Sequence, residues 1–267
     1  MKLLNIACGD RYHQDWINID FHPDSKNVQR VNILDGLPFK DNSMDAIYCS
    51  HFLGHITEQQ AIFVLSESKR LLKHNGICRI VVPSLENICR EYLKILEEVD
   101  HQPFSQEKYR WITIELLDQI VRVNNGGKML DLFKNIAETK NVKLADYVLE
   151  RTGDELIKET IAKKKRVITL DKIKNKLLYI YIRCVGIMIP KNIRDFIFIQ
   201  TPIGERQQWV YDNYSLGRAF KTLGFKDVVI KSFNDSDILN FNNYELDIKK
   251  DGTPYKGSSS LYIEARK

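Results

Sequence analysis

Short, almost wholly apolar runs open this chain and are joined by polar turns, before the pattern changes to apolar residues recurring every three or four positions. Leu3-Leu4-Asn5-Ile6 runs into the small-residue turn Ala7-Cys8-Gly9, and Trp16-Ile17-Asn18-Ile19 ends on Asp20. Residues 28–34 make a third run, Asp45-Ala46-Ile47-Tyr48-Cys49-Ser50 a fourth, and residues 77–82, closed by Pro83, a fifth. Runs of this length between turn residues such as Leu37-Pro38-Phe39 and Asp41-Asn42-Ser43 predict buried strands. Over residues 57–73, Ala61, Val64, Leu65, Leu71 and Leu72 fall near helical spacing, with Thr57 as cap and Asn75-Gly76 as stop. Strands joined by helical crossovers predict an α/β fold, a parallel sheet with helices on both faces.

Beyond Pro83 the period becomes helical for a long stretch, predicting helices over 85–98, 111–123, 129–139, 142–149 and 168–189. A helix over 215–223, a sixth strand over 227–233 and a seventh over 260–265 follow. The 267 residues therefore divide into an N-terminal core segment (1–84), a helical insertion (85–210) and a C-terminal return to the sheet (211–267).

The candidate chemistry lies at strand ends. Ala7 and Gly9 let the backbone approach a ligand closely, and Asp20, at the tip of the neighbouring strand, can accept both hydroxyls of a ribose. The three-glycine dinucleotide fingerprint is absent, so a ligand smaller than a dinucleotide is expected. Asp35 either caps a turn or lies beside the base of that ligand. Ser50, His51 and Phe52 follow the fourth strand, at the crevice edge where open α/β sheets bind ligands. His51 and His55 would share one helical face. A helical pair of this spacing can hold zinc, but Phe52 stands where the catalytic zinc motif has Glu and no third ligand is apparent, so no metal is expected. Either histidine suits a general base, or else only satisfies backbone groups. Glu115, Asp118, Gln119 and Arg122 form either a solvated stripe or a polar wall over a substrate. Trp209, Tyr211, Asp212 and Tyr214 make an aromatic and acidic cluster suited to a sugar ring or base, with core packing the alternative for Trp209.

Taken together, Asn5-Ile6-Ala7-Cys8-Gly9, Leu37-Pro38-Phe39, Asp45–His51, Arg70-Leu71-Leu72-Lys73 and Arg79-Ile80-Val81-Val82-Pro83 resemble class I S-adenosylmethionine-dependent methyltransferases. More narrowly, residues 111–129, Gly204-Glu205, residues 209–216 and 260–265 look like a bacterial subfamily often associated with polysaccharide (capsule or O-antigen) biosynthesis clusters. The resemblance implies a Rossmann-like sheet of seven strands, the last antiparallel, with a large helical insertion between strands five and six that forms the lid in place of the covering helices the family commonly has before strand one. It implies S-adenosylmethionine as cofactor, held by Ala7, Cys8, Gly9, Asp20, Asp35, Ser50, His51 and Phe52. Its acceptor would be a small-molecule or nucleotide-linked glycan, held by Glu115, Gln119, Arg122, Trp209, Tyr211 and Tyr214. His51 is the first choice as base, with His55 and Asp212 behind it. The chain departs from the family pattern at Ala7, Gly54, Ser84, Gln207 and Gln208. The implied function is O-methylation of a saccharide or phosphorylated precursor in surface polysaccharide assembly. Alternatives are a noncatalytic S-adenosylmethionine-binding subunit and a methyltransferase acting on nitrogen or another small-molecule acceptor.

Charge refines this picture in one place. The formal excess is +5, and residues 160–190 carry eight Lys or Arg against Asp171 alone. That basic stretch reads as a solvated face flanking a core helix, or as contact with a phosphorylated substrate or, peripherally, with anionic lipid through 163–190. Its apolar part is too short to span a bilayer, and no nucleic-acid motif is present. Five cysteines without a C-x-x-C pair suggest neither a zinc ribbon nor a disulfide framework. Without a recognisable leader, a cytoplasmic enzyme is expected.

Overall fold

The computed structural model describes residues 1–23, 25–153 and 204–267, with eight isolated positions between 177 and 190. The basic run 163–166 lies outside the described residues, and the predicted helix over 168–189 falls on a stretch of which only those isolated positions are described. Seven strands form one sheet: β1 (Leu3–Ile6), β2 (Ile17–Asp20), β3 (Val28–Arg30), β4 (Met44–Ser50), β5 (Leu72–Pro83), β6 (Lys226–Lys231) and β7 (Ser260–Arg266). Their order is β3-β2-β1-β4-β5-β7-β6. The first five run parallel, and β7 lies antiparallel between β5 and β6. This is the Rossmann-like sheet expected, with its last strand reversed. In β1, Leu3, Leu4, Asn5 and Ile6 are all buried, because a central parallel strand is covered on both faces and cannot alternate.

Two expectations about the coverage of the sheet fail. Among the described residues before Pro83 only one α-helix forms, α1 (Glu58–Leu71); β1, β2, β3 and β4 are joined by loops and one 3-10 turn, Ile33–Asp35. The linking segments are short and polar, with no helical period to bury. Among the described residues helices also fail to cover both faces. One face packs against α1 and α6 (Asn213–Thr222) through Val64, Leu65, Leu216 and Phe220. The other is covered by Trp16 and by Ile238, Phe241 and Leu246 of the β6–β7 connection, packed on Leu3, Tyr48, Val81 and Tyr262.

Thr57 caps α1 in a reciprocal box with Gln60. The stop at Asn75-Gly76 is displaced: the helix ends at Leu71, and residues 73–76 bulge between the pairings Met44↔Leu72 and Ala46↔Ile77. Asn75 takes φ +61 there, and a Cβ on Gly76 would lie 2.9 Å from the Lys73 carbonyl oxygen.

The insertion builds a second core. Helices α2 (Leu85–Glu98), α3 (Pro103–Val121), α4 (Gly127–Thr139) and α5 (Val142–Thr152) bury Ile95, Trp111, Ile112, Ile136 and Val148 against one another. No helix among the described residues is long and apolar enough to cross a membrane.

Candidate functional site

A cavity of about 430 Å³ opens where β1, β4 and β5 end, and is lined also by α2, α3, residues 204–210 and the β6–β7 connection. Its floor is the turn after β1. Gly9 has φ +54, and a Cβ added to it would meet nothing within 4 Å, so this backbone borders open space. Ala7 holds φ +52, a left-handed conformation that costs an alanine roughly 1 kcal/mol and that glycine adopts more readily.

Asp20 fastens this turn. One of its oxygens accepts from the Gly9 N–H at 2.9 Å and the other from the His22 N–H at 2.8 Å. A carboxylate has about four acceptor sites, so both oxygens keep capacity for hydroxyls. Asn5 was not foreseen from the sequence, although a polar amide within an apolar run is a signal. Its amide nitrogen donates to the Arg11 carbonyl and to Asn18 Oδ1, each at 3.1 Å, bracing the loop from beneath. Asn5 Oδ1 and Ser50 Oγ are buried without hydrogen-bond partners, and both residues line the cavity. Orphaned buried acceptors and hydroxyls beside an uncrowded glycine turn fit a polar ligand lying on β1 and β4.

His51 and His55 both line the cavity, but not from one helical face. His51 takes φ +53 after β4, and residues 53–55 form a single 3-10 turn. Ser260 Oγ lies 3.0 Å from both the Lys256 carbonyl oxygen and His51 Nε2; with its proton on that carbonyl it accepts from Nε2–H, the tautomer in which Nδ1 is bare. His55 Nδ1 lies 3.0 Å from the Arg206 carbonyl oxygen, which accepts only, leaving Nε2 bare. Burial holds the His51 imidazole well below its ordinary pKa, and the Lys256 charge lowers it further. Burial likewise lowers His55, with Lys256 and Arg122 adding to the effect against the Arg206 bond. Both rings are therefore neutral near pH 7.

Helix α3 supplies a polar wall. Glu115, Gln119 and Arg122 line the cavity. Glu115 accepts from Trp111 Nε1 at 2.9 Å and pairs with Arg151 of α5 at 2.9 Å. Asp118 turns away to hold Arg122 at 2.6 Å and the Lys128 N–H at 2.7 Å, which clamps the start of α4.

Other sequence-selected residues stand elsewhere. Asp35 is exposed and accepts from Asn32 at 2.6 Å, so it braces the 3-10 turn. Phe52 packs against the sheet core. Asp212 is the N-cap of α6, accepting from the Ser215 N–H at 2.7 Å, and is thereby occupied rather than poised as a base. Tyr211 is buried in the core, whereas Trp209 and Tyr214 are 42% and 74% exposed; none of the three lines the cavity. Gly54 lacks a side chain because residues 207–209 dock on it: its carbonyl accepts from Gln208 and Trp209, and a Cβ would lie 3.2 Å from the Trp209 carbonyl oxygen. Ser84 caps α2 through the Asn87 N–H. No group of three or more His, Cys, Asp or Glu among the described residues is placed to hold a metal ion.

Sequence reasoning also missed Arg11, Tyr255 and Lys256, which line the cavity from loops without a motif. The Arg11 guanidinium lies 4.1 Å from the Tyr255 ring centroid, and Lys256 Nζ lies 5.1 Å from it.

The sheet order, with β7 antiparallel between β5 and β6 and a small-residue turn after β1, is Rossmann-like. Residues 7–80 match the family model described as "Methyltransferase domain". Over 75 residues the chain is 35% identical to an uncharacterized protein of Methanocaldococcus jannaschii, covering 28% of this chain and 32% of that protein. Over 56 residues it is 38% identical to "Probable methyltransferase ltbC" of Aspergillus luteorubrus, covering 21% and 20%. The chain thus spans about a third and a fifth of the lengths of these curated relatives. Among solved structures it is similar to SAM-dependent methyltransferases from Archaeoglobus fulgidus and Aquifex aeolicus. The first is 14% identical with TM-score 0.39, over 100% of this chain and 86% of that one. The second is 10% identical with TM-score 0.36, over 100% and 81%.

Proposed function

We propose that this chain is an S-adenosylmethionine-dependent methyltransferase that methylates an oxygen of a saccharide or phosphorylated precursor in bacterial surface polysaccharide assembly. The observation that carries the reading is the Gly9 turn, fastened by Asp20 and bordering a cavity in which two neutral imidazoles also stand. The acceptor class rests on the resemblance of residues 111–129, Gly204-Glu205, 209–216 and 260–265. In this reading Asp20 accepts the ribose hydroxyls, and Ala7–Gly9, Asn5 and Ser50 border the rest of the cofactor. S-adenosylmethionine supplies a methyl group already activated on a sulfonium, so the protein has chiefly to align the acceptor and exclude water. The α3 wall and residues 204–210 orient the acceptor. His51 Nδ1 takes the proton of the attacking hydroxyl, and His55 Nε2 stands second.

Calorimetric titration of the folded protein with S-adenosylmethionine tests the cofactor, and saturable binding is expected. A mass-shift screen against nucleotide sugars and phosphorylated glycan precursors then tests transfer. A folded protein that does not bind S-adenosylmethionine overturns the reading, and binding without any transfer favours the noncatalytic subunit.

The histidine assignment predicts a pH profile. The base form is the neutral ring, whose pKa lies below 6.5, so turnover should be flat through neutral pH and fall on its acidic side as the ring protonates. In His51→Ala, kcat should drop about 10²–10⁴-fold and that acidic limb should disappear. Near-normal turnover in His51→Ala would transfer the role to His55, to be scored in the same way.

A further inference from the structure

The cations around the cavity are not equivalent. Arg122 is held by Asp118 and Arg151 by Glu115, each in a close buried pair. Lys256 has no carboxylate partner among the described residues, yet it lines the cavity and its charge acts on both His51 and His55. Arg11 also lines the cavity without a carboxylate. Its Nη2 donates to the Ile248 carbonyl at 3.1 Å, while its Nε is buried with no partner. Each of the two cations lies over the Tyr255 ring. The acidic residues of the lining do not offset them: Glu115 is taken by Arg151, Glu205 accepts from the Gly126 N–H and faces Arg122 at 3.9 Å, and Asp10 is exposed. Lys256 and Arg11 are only half-buried, so among the described residues their charges stay available to an anion entering the cavity.

We propose that Lys256, with Arg11 against the same Tyr255 ring, binds an anionic group on the methyl acceptor, a phosphate monoester or a carboxylate. The role of this ligand as acceptor rests on the methyltransferase reading; the anion site itself does not. Within that reading, the site selects phosphorylated or acidic sugars over neutral ones, and it sets the bound anion on the side of the cavity from which Lys256 acts on both imidazoles. The carboxylate of the cofactor's own methionine moiety is a second source of the same chemistry, and the test separates the two.

The protein saturated with S-adenosylhomocysteine is titrated with inorganic phosphate, following the ring C2–H NMR signals of His51 and His55, assigned with His51→Gln and His55→Gln. Phosphate should shift both signals saturably, and sodium chloride at equal ionic strength should leave them in place. Lys256→Ala should weaken phosphate binding about tenfold to hundredfold, the loss expected for a charge-assisted hydrogen bond, while Lys256→Arg stays within a few-fold of wild type. Absence of a saturable shift, or wild-type affinity in Lys256→Ala, overturns the proposal. So does a Lys256→Ala protein that loses affinity for S-adenosylhomocysteine rather than for phosphate, since the cation then serves the cofactor. If Lys256→Ala does not fold, Lys256→Met takes its place, and the phosphate-against-chloride comparison on wild type decides alone. If wild type fails to bind S-adenosylhomocysteine, that counts against the cofactor reading, and the phosphate titration is scored on the unliganded protein.

Discussion

Arg79→Met will lower the stability of the protein by about 3–5 kcal/mol at neutral pH, the effect of removing one partner from a buried ionic cluster. Arg79 is fully buried on β5. Its guanidinium holds Asp247 and Glu264 at 2.7 Å each, and donates to the Asp235 and Ser232 carbonyls at 2.9 and 2.8 Å. Tyr48 donates its hydroxyl to the other oxygen of Asp247 at 2.6 Å. Methionine conserves much of the volume and leaves two carboxylates without their cation. The loss will depend on pH in a defined direction. Burial raises the Asp247 carboxyl above its ordinary value even beside Arg79, and removal of the cation raises it further. A carboxyl raised in the folded state favours folding when protonated, so the deficit of Arg79→Met shrinks as pH falls and is largest above that raised value. Urea melts of wild type and variant at pH 7 and pH 5 measure both effects. A deficit below about 1 kcal/mol at pH 7 would show that the cluster does not anchor the 232–247 segment.

Gly9→Val will leave the chain folded and reduce S-adenosylmethionine affinity about hundredfold. The fold should survive because a Cβ at this position meets no protein atom within 4 Å; the cost is a β-branched residue at φ +54, of order 1–3 kcal/mol. Affinity should fall because the new methyl groups occupy ligand space, and overpacking of this kind costs about 1–3 kcal/mol. Calorimetry with a thermal melt on the same sample separates the two effects. Asp20→Ala provides a second arm: it removes the acceptor for the Gly9 and His22 N–H groups together with the proposed ribose contact. Wild-type affinity in Gly9→Val would place the cofactor away from this turn.

The sequence was most informative where the physics is local. The span of α2 follows from its apolar spacing, and the first strands follow from uninterrupted apolar runs. Coverage of the sheet was not legible, because Trp16 and Tyr48 are covered by Phe241, some two hundred residues further on, and no local pattern announces such a meeting. Asp212 shows a different failure. The spacing Asp212-x-x-Ser215 is a cap signature that the structure completes, yet a carboxylate beside aromatic residues also reads as site chemistry. Aromatic residues are equally ambiguous: Tyr211 is core while Tyr214 is exposed. Lys256 sits in a short polar loop whose composition carries no sign of the cavity that it lines.

The position of β7 has a kinetic consequence. Among the described residues β6 is hydrogen-bonded within the sheet to β7 alone, so it joins the sheet only together with the strand that follows it. The connection between them carries Leu246, Tyr255, Lys256 and Ser259 of the cavity. Seating this antiparallel pair on β5, a contact of high sequence separation and hence a slow one, therefore completes the sheet and installs that wall of the cavity in one step. Binding competence should appear as this pair seats on β5, and ligand affinity should be lost when the pair detaches.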